Sequence, residues 1–265
     1  MSATLERTYS TELRKGRGAV AETLTLLDSW VPGMSSTQLI ALAVEQGVFG
    51  GSSAKRAEDL VSVVFARRYL AKNAEPASTL KYLLDRGADR AVLKQLMLVY
   101  TARRNAVLAD FIAEVYWPAY GAGAEALTSS DAVAFLKRAT VAGRISKPWS
   151  ESMTKHIAGD LLSTLVDFGY LEDVKKTARP LRSYRLLPET ALFLTHEIHF
   201  QGFSDNSILE SPDWTLFGLT REDVVQQLDK LARGGHFIFQ YSGELLRLSW
   251  KYRSMQECLD AIAGR

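Results

Sequence analysis

Cysteine is almost absent: Cys258 is the only one in 265 residues. No disulfide can close within the chain, and no cysteine-built zinc site is available. That usage fits a reducing cytoplasm, which is the expected location. A long hydrophobic run is also missing. Nothing approaches the roughly 18 consecutive apolar residues that read as a membrane span, so no membrane role is expected. The opening "MSATLERTYSTELRKGRG" is polar and charged, unlike a secretory signal. Charge of one sign is scarce overall, with a formal net charge of +2. Chemistry-bearing signatures are missing too. There is no GxxxxGK[ST] loop to cradle a phosphate, no GxGxxG after a strand, and no local Ser or Cys nucleophile pattern. The closest local motif is "HEIH", His196 to His199. A zinc protease needs its histidines at i and i+4 on one helix face, and here they stand at i and i+3 with no third ligand evident. No catalytic activity, metal or other cofactor is expected.

What is present is an uneven distribution of charge. From Lys137 to Arg185 ten basic residues face five acidic ones, a surplus of five; from Leu186 onward seven basic residues face eleven acidic ones. Such a split points to an anionic partner for the middle of the chain. The charge is densest in "GYLEDVKKTARPLRSYRLL", residues 169–187, with Lys175, Lys176, Arg179, Arg182 and Arg185. There the apolar period changes from helix to strand, so "YLEDV" and "SYRLL" are expected to form a hairpin.

Before it lies the strongest amphipathic stretch of the chain. Met153, Ile157, Leu161, Leu165 and Phe168 share one face at helical spacing, with Ser150 as the expected N-cap and Gly169 as the stop. The opposite face carries Ser152, Lys155, His156, Gly159 and Ser163, small or polar groups suited to lie in a groove. With Val107–Tyr116 and residues 130–142 as earlier helices, the order is that of a winged helix. In that fold the third helix enters the major groove and the wing follows the phosphates. The break at 143–149 is longer than the usual three- or four-residue turn.

Residues 1–125 carry helical apolar spacing throughout. Within them a second helix–break–helix spans 35–46 and 53–71, around "GVFGGSS". Lys55 and Arg56 open its second helix, where free amides favour anions. With Arg14, Lys15 and Arg17 of the preceding tail they form a second, weaker candidate contact. Ser35 with Gln38 reads as a capping box, and Thr220 with Asp223 as another helix start. The expected fold is mainly α: an N-terminal helical domain with helix-turn-helix character (1–125), a central winged helix (126–190), and a small C-terminal α/β winged-helix-like unit (191–265) in which a hairpin turns at "YSGE". Trp214, Phe217, Phe237, Phe239 and Trp250 are expected in its core.

"YSTELRKGRGAVAETLTLLDSW", "FARRYL" and "WSESMTKHIAGDLLSTLVDFGYLED" together resemble the BrxA family, small accessory proteins of BREX bacteriophage-defence systems. The resemblance runs over most of the chain and rests on dispersed apolar and aromatic positions. It implies a cytoplasmic, largely helical, non-enzymatic protein that binds nucleic acid, with some likeness to the RNA-binding factor NusB in the helical part. The leading expectation is a double-stranded DNA-binding accessory protein. The alternatives are an RNA-binding protein similar to NusB and a scaffold that meets other defence-system proteins.

Overall fold

The structure, a computed structural model, describes residues 8–50, 53–174 and 177–264. It is mainly helical, with two small antiparallel sheets. The helices are α1 (Val20–Ser29), α2 (Ser36–Glu45), α3 (Ala54–Asp59), α4 (Ala66–Tyr69), α5 (Ala71–Asp85), α6 (Arg90–Arg104), α7 (Ala106–Phe111) and α8 (Trp117–Gly121). Strand β1 (Ala126–Thr128) leads into α9 (Ser129–Val141) and α10 (Glu151–Phe168), followed by β2 (Ala178–Pro180). Then come α11 (Pro188–Phe200), α12 (Asp205–Leu209), α13 (Arg221–Arg233), β3 (Phe237–Ser242), β4 (Leu245–Trp250) and α14 (Met255–Ile262). Two stretches, Leu60–Phe65 and Ile112–Tyr116, are wound as π-helix.

The chain forms two compact units. One is Met1–Lys81 with Met97–Tyr184, the other Tyr82–Leu96 with Arg185–Arg265. This differs from a division at residues 125 and 190. Residues 126–184 share a unit with the helices before them, because the N-terminal segment packs directly on α10.

In the first unit the core is aromatic as well as aliphatic. Phe65 and Tyr69 lie 5.5 Å apart, and Phe111 meets Phe135 edge-on at 5.3 Å. From Ile112–Tyr116 onward the order is helix, β1, α9, break, α10, β2. β1 pairs with β2 in the register Ala126↔Pro180 to Thr128↔Ala178, and a bridge joins Leu171 to Leu181. The returning strand is therefore 178–181, shorter than expected, and "SYRLL" is not a strand. Its backbone is taken by side chains instead. Gln95 bonds the Arg185 carbonyl and the Leu187 amide, and Tyr184 stacks on Tyr170 at 3.8 Å; just before the segment, the Tyr116 hydroxyl donates to the Arg182 carbonyl. The 143–149 break is long because it is anchored. Ile145 is buried, and the Tyr9 amide donates to the Arg144 carbonyl at 2.8 Å. The Arg144 guanidinium bonds Tyr9, Asp110 and Glu114.

The N-terminal segment, residues 8–19, is a strap held along its length. Glu12 accepts from Arg67 and Arg104, Lys15 pairs with Asp59, and the Gly18 amide donates to Asp167. Arg68, 6% exposed, donates to the carbonyls of Arg17 and Gly18. Gly16 and Gly18 permit this approach. A Cβ on Gly16 would stand 2.3 Å from a Val64 methyl, and one on Gly18 would stand 2.5 Å from the Asp167 Cβ. Arg17 and Ala19 hold positive φ of 50° and 47°, unusual for residues with a Cβ.

In the second unit α11 is buried from Thr190 to Ile198. α13 and α14 pack on it, and β3 pairs with β4 around "YSGE" as expected. Trp214, Phe217 and Phe237 are buried; Phe239 and Trp250 are half-buried. Gln95 holds the Arg185 carbonyl and the Leu187 amide, which fixes the start of α11. Both histidines of "HEIH" lie on α11. His196 is fully buried and His199 stacks on Trp250 at 3.9 Å. His196 Nδ1 bonds the Leu192 carbonyl at 2.9 Å, while Nε2 is buried without a partner. Burial lowers its pKa from 6.5 to about 4. The unfolded chain therefore takes up a proton that the folded unit resists between those values. The stabilisation from neutral His196 is complete above about pH 6.5 and lost as pH falls toward 4. At about 1.4 kcal/mol per pKa unit, roughly 3 kcal/mol is at stake. Urea unfolding at pH 7 and at pH 4.5 measures this, and His196→Leu should flatten the pH dependence. An identical pH dependence in that variant would assign the loss elsewhere.

Candidate nucleic-acid interface

α10 begins where the sequence requires. The Ser150 hydroxyl accepts from the Met153 amide, and Gly169 closes the helix at φ 93°. Ile157, Leu161, Leu165 and Phe168 are buried. Met153 is not with them. It lies half-buried beside the strap, where its sulfur receives the Arg14 guanidinium at 3.4 Å.

The opposite face stays open. Ser152, Lys155 and His156 are exposed, and a Cβ on Gly159 would meet nothing within 4 Å. Ser163, half-buried, accepts from the Arg179 guanidinium at 3.2 Å, which brings one wing cation onto the end of this face. Lys155 also pairs with Glu151, one turn earlier, at 2.7 Å. On one flank a groove of about 630 Å³ is lined by Ser129, Ser130, Val133, Ala134, Lys137 and Lys155. On the other flank stands the strap: Asp160, 8% exposed, is bonded by Arg17 Nε at 3.0 Å and paired with Arg14 Nε at 3.6 Å. The open face of α10 is thus bordered by cations on both sides, which suits a polyanion.

The remaining expected contacts fall in different places. Lys175 and Lys176 lie outside the described residues. Arg182 is exposed just past β2. Arg185 is exposed too and belongs to the second unit. Lys55 and Arg56 do open α3, with Ser53 as its cap, but both are engaged. Lys55 pairs with Glu58 and Asp59, and Arg56 donates to the Lys15 carbonyl. Arg56 is therefore a tie for the strap.

The sequence groups Arg14 and Arg17 with Lys55 and Arg56 as a second contact, whereas the structure sets them against α10. A signal for their true position existed. Asp160 and Asp167 stand seven residues apart, two helical turns, on the edge of an apolar stripe. Acids placed so need partners, and the strap supplies them: Arg14 and Arg17 for Asp160, the Gly18 amide for Asp167. Among the described residues no group of three or more His, Cys, Asp and Glu side chains could hold a metal ion. No described helix is long and apolar enough to cross a membrane.

The model of the BrxA family matches residues 7–197 of this chain. Among solved structures, the chain is similar to a crystal structure of an uncharacterized protein from Magnetospirillum magneticum. The two are 20% identical and superpose with a TM-score of 0.56, over 73% of this chain and 94% of that one. That likeness concerns the fold alone. No curated protein matches.

Proposed function

The chain belongs to the BrxA family of BREX-associated proteins, and on that premise we propose that it binds double-stranded DNA as a non-enzymatic accessory protein of a cytoplasmic phage-defence system. The observation that carries this reading is the open face of α10, bordered by cations, with β2 after the helix paired back onto β1. The helix order, the β1–β2 pairing and the Leu171–Leu181 bridge support a winged-helix arrangement. In it α10 enters the major groove, where Gly159 allows close approach and Ser152, Lys155 and His156 reach the base edges or the groove wall. Arg179 and Arg182 follow the adjoining phosphates, with Lys175 and Lys176 of the same basic run. Most of the affinity comes from phosphate neutralisation, and phosphate contacts carry no sequence information of their own.

A salt titration tests the wing. If about four wing cations reach phosphates, log K falls with log salt at a slope near −3.6 from this element. Arg179→Gln with Arg182→Gln should remove two contacts and flatten the slope by about 1.8, with weaker binding on every duplex alike. An unchanged slope at unchanged affinity contradicts the wing assignment.

A further inference from the structure

The proposal concerns the strap and rests on the duplex-binding reading. We propose that Arg14 and Arg17 form a preset clamp for a phosphodiester of the strand that borders the groove occupied by α10.

The geometry is unusual for a structural ion pair. A single buried carboxylate, Asp160, serves two arginines, so the cluster keeps a surplus positive charge. Arg17 is gripped at Nε, the inner nitrogen, by a hydrogen bond of 3.0 Å, while Arg14 Nε makes a looser ion pair at 3.6 Å. The grip on Arg17 fixes its guanidinium plane but leaves its two outer nitrogens to act as a fork. One outer nitrogen of Arg14 rests on the Met153 sulfur. The two of Arg17 bond no protein acceptor among the described residues, and its side chain is 56% exposed. A planar fork with its plane already set matches a phosphate bidentately and loses little freedom on binding.

The backbone beneath is fixed to the same end. Arg17 holds φ 50°, a conformation that costs a residue with a Cβ free energy, and Arg68 retains it by gripping the carbonyls of Arg17 and Gly18. Gly16 and Gly18 let the strap press against Val64 and Asp167. Together these contacts hold two exposed cations in one place, more than is needed to satisfy one carboxylate. Beside them runs a groove of about 690 Å³ whose charged lining is Arg14, Lys15, Arg17 and Arg56 against Glu22 and Asp167, so cations outnumber acids there.

Position selects the ligand. Asp160 follows Gly159 by one residue, about 100° around the helix. The clamp therefore stands on the shoulder of the face proposed to enter the groove, where a duplex presents its backbone. A free phosphate shares the chemistry, but nothing encloses it on the solvent side.

Asp160→Asn separates a clamp from diffuse charge. The change adds one unit of positive charge to the full-length chain yet releases both arginines. Diffuse electrostatics predicts tighter duplex binding; the clamp predicts binding weakened about tenfold, with a flatter salt dependence. Arg17→Gln is the second variant, since it leaves Asp160 paired with Arg14. It should weaken binding about fivefold and flatten the slope by about 0.9. Thermal unfolding of each variant identifies any loss of fold, and the better-folded variant decides. Duplex binding that is unchanged or tighter in that variant overturns the clamp. If Gly159→Glu abolishes binding in the same assay, the duplex reading survives that failure. If the unaltered chain binds no duplex, both fall. A rise in unfolding temperature with millimolar inorganic phosphate, lost in Arg17→Gln while duplex binding persists unchanged, would assign the fork to free phosphate and also overturn the proposal.

Discussion

Gly159→Glu is expected to abolish duplex binding while leaving the protein as stable as before or slightly more so. Gly159 sits in the middle of α10 with helical φ, and a Cβ there meets nothing within 4 Å. Folding therefore accommodates the larger side chain. Replacing a mid-helix glycine by a better helix former contributes about 0.5–1 kcal/mol in favour of folding. Binding does not accommodate it, because a carboxylate is placed where the helix approaches a polyanion. Gel-shift titration with thermal unfolding on the same preparation separates the two effects. Retained affinity means that this face points away from the duplex. Loss of folding means that it is packed.

Arg68→Ala is the second large effect, this time on stability. Arg68 is buried and desolvated, and burial pushes its pKa down, yet it is retained as the donor to two strap carbonyls. Truncation leaves a cavity and removes the bonds that hold Arg17 at positive φ. The expected cost is about 3 kcal/mol in urea unfolding. Because the strap carries Arg14 and Arg17, duplex affinity should fall as well. A change of less than about 0.5 kcal/mol, the usual range for a surface residue, would mean that the strap needs no such anchor.

What the sequence discloses is mostly local. The Ser35–Gln38 and Thr220–Asp223 capping boxes, the Ser150 cap and the Gly169 stop all form as their spacing predicts, since each involves only neighbours in the chain. The hairpin at "YSGE" follows from period-two alternation. What stays hidden depends on distant partners. β1 is three residues long and exists because β2, some fifty residues later, pairs with it. The "SYRLL" alternation suggests a strand, but Gln95 takes the Arg185 carbonyl and the Leu187 amide, and Tyr184 goes to Tyr170. α11 shows no clear apolar period because it is buried on all sides from Thr190 to Ile198. The open face of α10 was legible because small and polar residues recur there at helical spacing. Its flank was not, because Arg14 and Arg17 meet Asp160 across more than 140 residues of chain.

The central claim is that α10 and its cationic borders read a duplex. Competition binding tests it most directly: the full chain, bound to labelled duplex at about 100 mM salt, is challenged with unlabelled duplex, single-stranded DNA and structured RNA, since affinities mean little without a stated salt concentration. The account predicts that unlabelled duplex competes best, and that Gly159→Glu gives no complex to compete. Preferential displacement by structured RNA, with Gly159→Glu binding it as well as the unaltered chain does, would contradict the account.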